Sequence, residues 1–257
     1  MSLKVSIITV SYNSAETIEE TIRCVLNQDY QNIEYIIIDG ESDDDTLNII
    51  NKYKNEIDIV ISEKDAGIYD AMNKGIKMAT GDIIGILNSD DTYINEKVLT
   101  KVCDYFSFNR STMGIYSDLY YVKKNKLNRV WETGIVDQKS ISKGNIIPHP
   151  TLFLRDIVYK KCDLYDLAYG NAADFEFIVR IISKYKIQLD YLKFFSVKMK
   201  LGGSSNREFF SILKQNRQII KILKKYNIRF SLSFFFLYKI LNRFNQKLKR
   251  YFSEKSY

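Results

Sequence analysis

Four apolar runs, VSIITV (5–10), IEYIII (33–38), IDIVI (57–61) and IIGIL (83–87), punctuate the first ninety residues, and each breaks off into a polar turn. Runs this short and this rich in isoleucine predict strands buried on both faces of a sheet. Between them apolar positions recur at helical spacing. Ile18, Ile22, Val25 and Leu26 mark one helix, Ser42 opens a second, and residues 68–79 form a third. The order β-α-β-α-β-α-β implies parallel strands and right-handed crossovers, an α/β fold. All the strand ends then face one side, where open α/β sheets bind ligands, so Tyr12, Asp39, Asp65 and Asp90 converge on one crevice. Asn13 and Ser14 are the expected caps of the first helix. Asp43, Asp44 and Asp45 are the expected first-turn acids of the second, where negative charge complements the helix dipole.

The last of the four runs leads into Asn88, Ser89, Asp90 and Asp91. An Asp two residues after another oxygen-bearing side chain can hold a divalent cation, which would neutralise a diphosphate. The same residues also read as an Asx turn before an acid-rich helix start, and the pattern alone leaves both readings open.

The segments VSIITVSYN, IIIDGESDDDT, SEKDAGIYDAMNKGI and GDIIGILNSDD, in that order, resemble glycosyltransferase family 2, the inverting nucleotide-sugar transferases. PHPTLFLRDIVYKKCDLYD and YGNAADFEFIVRII resemble the family's later motifs, so the resemblance runs from residue 3 to about 202. DAGIYDAMNKGI is most similar to members that build bacterial surface polysaccharides. The resemblance implies a GT-A (Rossmann-like) domain over 1–202, with a mixed, mainly parallel sheet flanked by helices. It also implies a UDP-sugar donor, a divalent metal (Mn2+ or Mg2+), and an acceptor hydroxyl on a glycan or lipid-linked oligosaccharide.

Residue by residue, the resemblance makes Asp39 the carboxylate that accepts the uracil N3–H, which suits an acceptor-only group. Thr9 and Tyr12 border base and ribose, Asp65 closes the nucleotide site, and Asn73 and Lys74 contact ribose, phosphates or donor sugar. Asp90 becomes the metal ligand. Asn88 stands where many relatives carry Asp, and it brings a carbonyl without charge; with Ser89 it falls on the donor-sugar side, while Asp91 reads as a cap. Asp174 is the general base, with Ala173 where relatives often have Glu. Glu176 competes for that role from about 200° around the helix, and a purely capping Asp174 is the structural alternative. His149, the chain's one histidine, lies between its two prolines. It is either part of a rigid connection or a contact to phosphate, metal or acceptor. Trp131 and the polar segment up to Gly144 form either an acceptor platform or packing.

Charge divides the chain unevenly. Residues 203–257 hold 13 Lys or Arg against 2 Glu, whereas residues 1–202 hold 25 against 29, so the overall +7 belongs to the tail. Within the tail, Phe234, Leu237, Tyr238, Leu241, Phe244, Leu248, Tyr251 and Phe252 recur at helical spacing, with Lys239, Arg243, Lys247, Lys249 and Arg250 largely elsewhere on the wheel. Such a basic amphipathic helix lies on an anionic membrane, packs on the domain, or pairs in a homodimer; a lipid-linked acceptor favours the membrane. LGGSSNRE (201–208) reads as a hinge or donor-covering loop.

The first apolar run is too short for a signal peptide, and Cys24, Cys103 and Cys162 are widely spaced with no metal-binding pattern. The expected setting is cytoplasmic, peripheral at the inner face of the cell membrane. A sugar-phosphate nucleotidyltransferase normally carries a glycine-rich basic loop after its first strand, and VSYNSAET has neither glycine nor lysine. A degenerate, non-catalytic scaffold gains something from Asn88. Nucleic acid is not an expected partner, since the tail's aromatics sit in one apolar stripe.

Overall fold

The computed structural model describes residues 2–124, 126–201 and 209–253, the last segment with side chains from 214 to 250. Strands β1 (Val5–Ser11), β2 (Ile33–Asp39), β3 (Ile59–Ser62) and β4 (Ile83–Ile86) lie in the order β3-β2-β1-β4, all parallel. Helices α1 (Ile18–Leu26), α2 (Thr46–Asn51) and α3 (Ile68–Met78) make the crossovers. The register sets Ser11 beside Asp39 and Asp39 beside Ser62, so three polar residues end three adjacent strands side by side.

The second half completes the sheet. It contributes β5 (Asp91–Tyr93), α4 (Val98–Phe108), β6 (Gly114–Lys123), β7 (Lys126–Trp131), α5 (Gln138–Ser142), β8 (Phe153–Arg155), α6 (Asp156–Cys162), α7 (Ala173–Val179) and β9 (Asp190–Lys200). Beyond β4 the order continues β8-β6-β9-β5, with β7 on β6. β8 runs antiparallel to β4, and β9 parallel to β6. Period-two alternation gives the sheet two buried faces. Val5, Ile7, Tyr35 and Ile37 pack with α1, α2 and α4, whereas Ile8, Val10, Ile36 and Ile38 pack with α3, α6 and α7.

Local expectations fail in instructive places. α1 begins at Ile18, not after Ser14, because residues 14–17 form a separate turn: the Ser14 carbonyl accepts from Thr17 and Ile18 N–H. Asn13 takes a left-handed φ of 48° and accepts from Asp43 N–H. Asp43, Asp44 and Asp45 precede α2 instead of lying in it, and Asp44 Oδ1 accepts the Thr46 N–H at 2.9 Å. The split at residue 202 is not one of packing. α8 (Phe209–Lys225) buries Ile219, Ile222 and Leu223 in the main core, and α9 (Leu232–Ser253) lies against β7. The hinge at 202–208 and the side chains of Tyr251 and Phe252 lie outside the described residues. The cysteines are unbonded, with Cys103 and Cys162 buried, as expected of packing residues.

Candidate active site

The ends of β1, β2 and β3 build one wall of a crevice. Asp39 is fully buried. Its Oδ1 accepts from Ser11 Oγ at 2.9 Å and Ser42 Oγ at 2.6 Å, and its Oδ2 from Ser42 N–H at 2.9 Å and Ser62 Oγ at 2.8 Å. Four donors fill a carboxylate's acceptor sites. Of the four, only the Ser62 hydroxyl belongs to an exposed residue, so it is the donor that a ligand can displace. Beside Asp39, a side chain on Gly40 would meet Asp65 Oδ2 at 2.6 Å and Tyr12 Cδ2 at 3.4 Å. Glycine there lets Asp65 and an exposed Tyr12 close over the strand end. Asp65 Oδ1 accepts the Gly67 N–H at 2.7 Å, which leaves Oδ2 toward the crevice.

Three of the expected contacts bond within the protein. Thr9 is fully buried on the α1 side of β1 and bonds Tyr35 OH at 3.1 Å. Asn73 is buried, with Nδ2 donating to the Tyr165 carbonyl and Oδ1 accepting the Tyr165 N–H, both at 2.9 Å. Its amide pins the 163–172 loop to α3. Lys74 donates to the Lys64 carbonyl at 2.9 Å and pairs with Glu63 at 2.8 Å, the bond that raises its pKa. It braces the segment that positions Asp65.

The end of β4, next to β1 in the sheet, is short of partners. After β4, Asn88 Nδ2 donates to Asp91 Oδ2 at 3.2 Å and lies 3.3 Å from His149 Nε2, and Ser89 Oγ bonds Ser14 Oγ at 2.8 Å. The buried Asn88 Oδ1 and Asp91 Oδ1 have no hydrogen-bond partner among the described residues. Burial raises the pKa of Asp90; burial and then the Asp90 charge push that of Asp91 well above the carboxylate range. Asp91 thus lies inside the sheet as the first residue of β5, not at a helix cap.

His149 is rigidly held. The Thr151 hydroxyl bonds the Pro148 carbonyl at 2.9 Å, closing a 3-10 turn over His149–Thr151. On its far side His149 Nδ1 lies 3.6 Å from Asp174 Oδ2, within ion-pair range but long for a hydrogen bond. Asp174 Oδ1 accepts the Phe175 N–H at 2.8 Å, and the carboxylate is a quarter exposed. Asn88, His149 and Asp174 therefore form one line from the β4 turn to the start of α7. Glu176 leaves this line. It is 1% exposed, lies 3.0 Å from Arg180 and accepts from Tyr226 OH. Arg180 in turn donates to the carbonyls of Cys162 and Leu164, each at 2.6 Å. This carboxylate fastens α7 to α8 and to the loop after α6.

Comparison with known proteins now bears on the crevice. The family model described as glycosyl transferase family 2 matches residues 6–160. The chain belongs to glycosyltransferase family 2. An uncharacterised glycosyltransferase of Mycobacterium tuberculosis is 33% identical over 183 residues, 68% of this chain and 68% of that protein. The Escherichia coli UDP-Glc:alpha-D-GlcNAc-diphosphoundecaprenol beta-1,3-glucosyltransferase WfaP is 28% identical over 223 residues, 85% of this chain and 86% of that protein. The structure of S. aureus TarS 1–349 in complex with UDP-GlcNAc matches with a TM-score of 0.70 at 19% identity, over 99% of this chain and 76% of that one. This likeness establishes the GT-A fold. A glycosyltransferase of this family is not a sugar-phosphate nucleotidyltransferase, and that alternative falls.

Trp131 of the transferase packs against its neighbours. It stacks on Tyr121 at 6.1 Å, with the Arg129 guanidinium 6.0 Å from its ring, and its Nε1 is buried without a partner among the described residues. Sequence reasoning missed Ser11, Ser42 and Ser62 as the shell of Asp39, and Gly40 as the gap that admits Asp65. Strand alternation was the available signal for Ser11, which shares a face with Val5 and Ile7. The 92-residue separation of Asn73 from Tyr165 left no local signal. No helix among the described residues is long and apolar enough to cross a membrane.

Proposed function

We propose that the chain is an inverting transferase that moves a sugar from a UDP-sugar to a hydroxyl of a glycan or lipid-linked acceptor. One observation carries the reading: the line Asn88–His149–Asp174 ties an under-bonded acidic turn to a partly exposed carboxylate across a single crevice. The uracil lies against Tyr12, its N3–H taking the place of the Ser62 hydroxyl on Asp39, while Asp65 Oδ2 receives a ribose hydroxyl. The names of WfaP and of the TarS complex favour a uridine donor and a glycan product.

Transfer is one in-line displacement. The acceptor oxygen forms a bond to the anomeric carbon, the bond from that carbon to the diphosphate oxygen breaks, and its electron pair leaves with UDP. Asp174 takes the hydroxyl proton, a contribution of about 10²- to 10⁴-fold for a positioned base. His149 holds Asp174 toward the crevice and fixes its separation from Asn88. The acidic turn fits a divalent cation, because Asp90 is half-buried with burial outweighing the nearby charges of Lys200 and His149, and the Asn88 carbonyl is orphaned. Among the described residues no three His, Cys, Asp or Glu side chains gather as a ready cage. Asp90 would hold the cation together with phosphate oxygens, as Mg2+ sites commonly do. When bound, it supplies positive charge to the departing diphosphate.

Release of UDP from a panel of UDP-sugars, with and without Mn2+, tests the reading. Turnover with one or more donors, dependent on Asp174, supports it. Turnover restricted to another nucleotide, or a product that retains the donor's anomeric configuration, overturns it.

A further inference from the structure

α9 is mounted the wrong way round for a helix that packs on a soluble domain. The side it turns toward the protein holds Phe235 and Gln246, both buried, and Phe236, which packs on the main core, with Tyr238, Lys239, Asn242 and Lys249 partly covered. The side it turns to solvent holds Phe234, Leu237, Ile240, Leu241, Phe244 and Leu248, between 43% and 67% exposed. An amphipathic surface helix ordinarily buries the second kind of face. Its neighbour α8 does so, with Ile219, Ile222 and Leu223 inside and Lys214, Arg217, Lys221 and Lys224 outside. The exposed stripe on α9 runs about 21 Å along the helix at 1.5 Å per residue. A contiguous apolar stripe of this length marks a surface that is covered in use.

The inverted mounting is held by specific contacts. Lys249 pairs with Glu132 at one end of the helix. Near the other, Phe235 and Lys239 pack so close to Gly144 that a side chain there would meet them at 3.2 and 3.3 Å, and Lys239 bonds Asn216 of α8 at 3.3 Å. α9 therefore grips both ends of the 132–144 segment, which joins β7 to the strand turn carrying His149.

We propose that α9 is a membrane-interface helix, its mixed polar and aromatic face fastened to the domain and its apolar face set into the acyl boundary of an anionic bilayer. Charge selects this occupant over a second copy. Residues 209–253 contain 11 Lys or Arg and no Asp or Glu. Arg243 and Lys247 are exposed beside the apolar stripe, so two such helices face to face would bring these cations together, whereas an anionic headgroup layer pairs with them. In that position the 132–144 segment is held at the lipid surface. The inference stands on α8 and α9 and is independent of the sugar chemistry proposed above.

Co-sedimentation of the full chain with vesicles of phosphatidylcholine alone or with 30% phosphatidylglycerol tests it. Binding at least tenfold stronger to the anionic vesicles, weakened by 0.5 M salt, is expected. The exposed pair L241D/F244D should lose at least tenfold in vesicle binding while keeping the wild-type Tm and UDP affinity, so the loss cannot come from misfolding. Lys221→Glu with Lys224→Glu should weaken binding to the anionic vesicles alone. Equal binding of the L241D/F244D variant, no binding by the full chain, or a lipid-free dimer by light scattering that this variant dissociates would overturn the proposal.

Discussion

The end of β2 and the end of β4 present the same kind of side chain in opposite states. Asp39 is enclosed by four donors from the two neighbouring strands and the turn after its own, while Asp90, beyond a strand two places along the sheet, is half-buried with its pKa raised by that burial. A carboxylate whose acceptor sites are filled by N–H and O–H groups organises its neighbours. One stripped of water costs free energy that nearby positive charge returns only in part. On the proposed reading, the first strand end is a finished surface that a base would meet, and the second is one that its ligands would complete. α7 repeats the contrast two residues apart: Glu176 is paired with Arg180 inside, and Asp174 stays partly open toward His149.

The largest effect should come from the unfinished side. Asp174→Asn retains size and the bond from Phe175 N–H but cannot take a proton, so turnover is expected to fall by about 10²- to 10⁴-fold with UDP-sugar affinity within about twofold. Glu176→Gln breaks an internal pair and should cost stability while the folded fraction still turns over. Single-turnover rates with saturating donor separate the two. Near-normal chemistry in Asp174→Asn would move the base elsewhere.

Next in size is the direct exchange between the two strand ends. Asp39→Asn strands several serine and backbone donors in a buried site, an expected loss of about 1–3 kcal/mol in denaturant unfolding. Asp90→Asn strands nothing and should unfold at the wild-type midpoint or above it. The same variant should abolish the strengthening of UDP binding by Mn2+, read by calorimetry with and without the metal. A stability loss in Asp90→Asn larger than in Asp39→Asn would reverse the comparison.

Asp118 on β6 lies between these extremes. It accepts from Thr133 N–H at 2.7 Å and Tyr191 OH at 2.9 Å, yet burial pushes its carboxyl up to about 6. A folded pKa above the ordinary 3.8 means that the native state holds the proton longer than the unfolded chain. Relative to Asp118→Asn, the wild type should then be most stable below about pH 4 and lose ground as pH rises through about 6, by on the order of 2 kcal/mol. Paired melts from pH 4 to 7.5 measure it, since other carboxylates cancel in the difference. A difference independent of pH would show that the bonds from Thr133 and Tyr191 outweigh the burial.

The legible parts of this molecule were those written in short-range periodicity. Isoleucine runs announced β1 to β4, and the direction of their ends followed from the crossovers, which brought Tyr12, Asp39, Asp65 and Asp90 to one side. Alternation along β1 also placed Thr9 on the inward face of Ile7. What stayed hidden depends on distant partners: Asn73 with Tyr165, Trp131 with Tyr121, Glu176 with Arg180 and Tyr226. For α9 the wheel placed Phe234, Leu237, Leu241, Phe244 and Leu248 in the stripe that is exposed, left out the exposed Ile240 and included the partly covered Tyr238. It could not say which face meets the domain, because Phe235, the side chain that anchors the helix, falls outside the stripe.

The smallest effect tests how a base enters the finished wall. If the N3–H of uracil reaches Asp39 by displacing the Ser62 hydroxyl, then Ser62→Ala removes a competitor for that acceptor position before the ligand arrives. The variant should lose about 0.5–1 kcal/mol of folding stability, the net worth of one hydrogen bond, and bind UDP as well as the wild type or a few-fold more tightly. Asp39→Asn should go the other way, because an amide turned with its NH₂ toward the base meets donor with donor. The two affinities, taken from the same titration series with uridine as well as UDP, isolate the base from the diphosphate. Weaker uridine binding in Ser62→Ala would mean that the hydroxyl itself meets the ligand, and that Asp39 keeps all four of its donors in the complex.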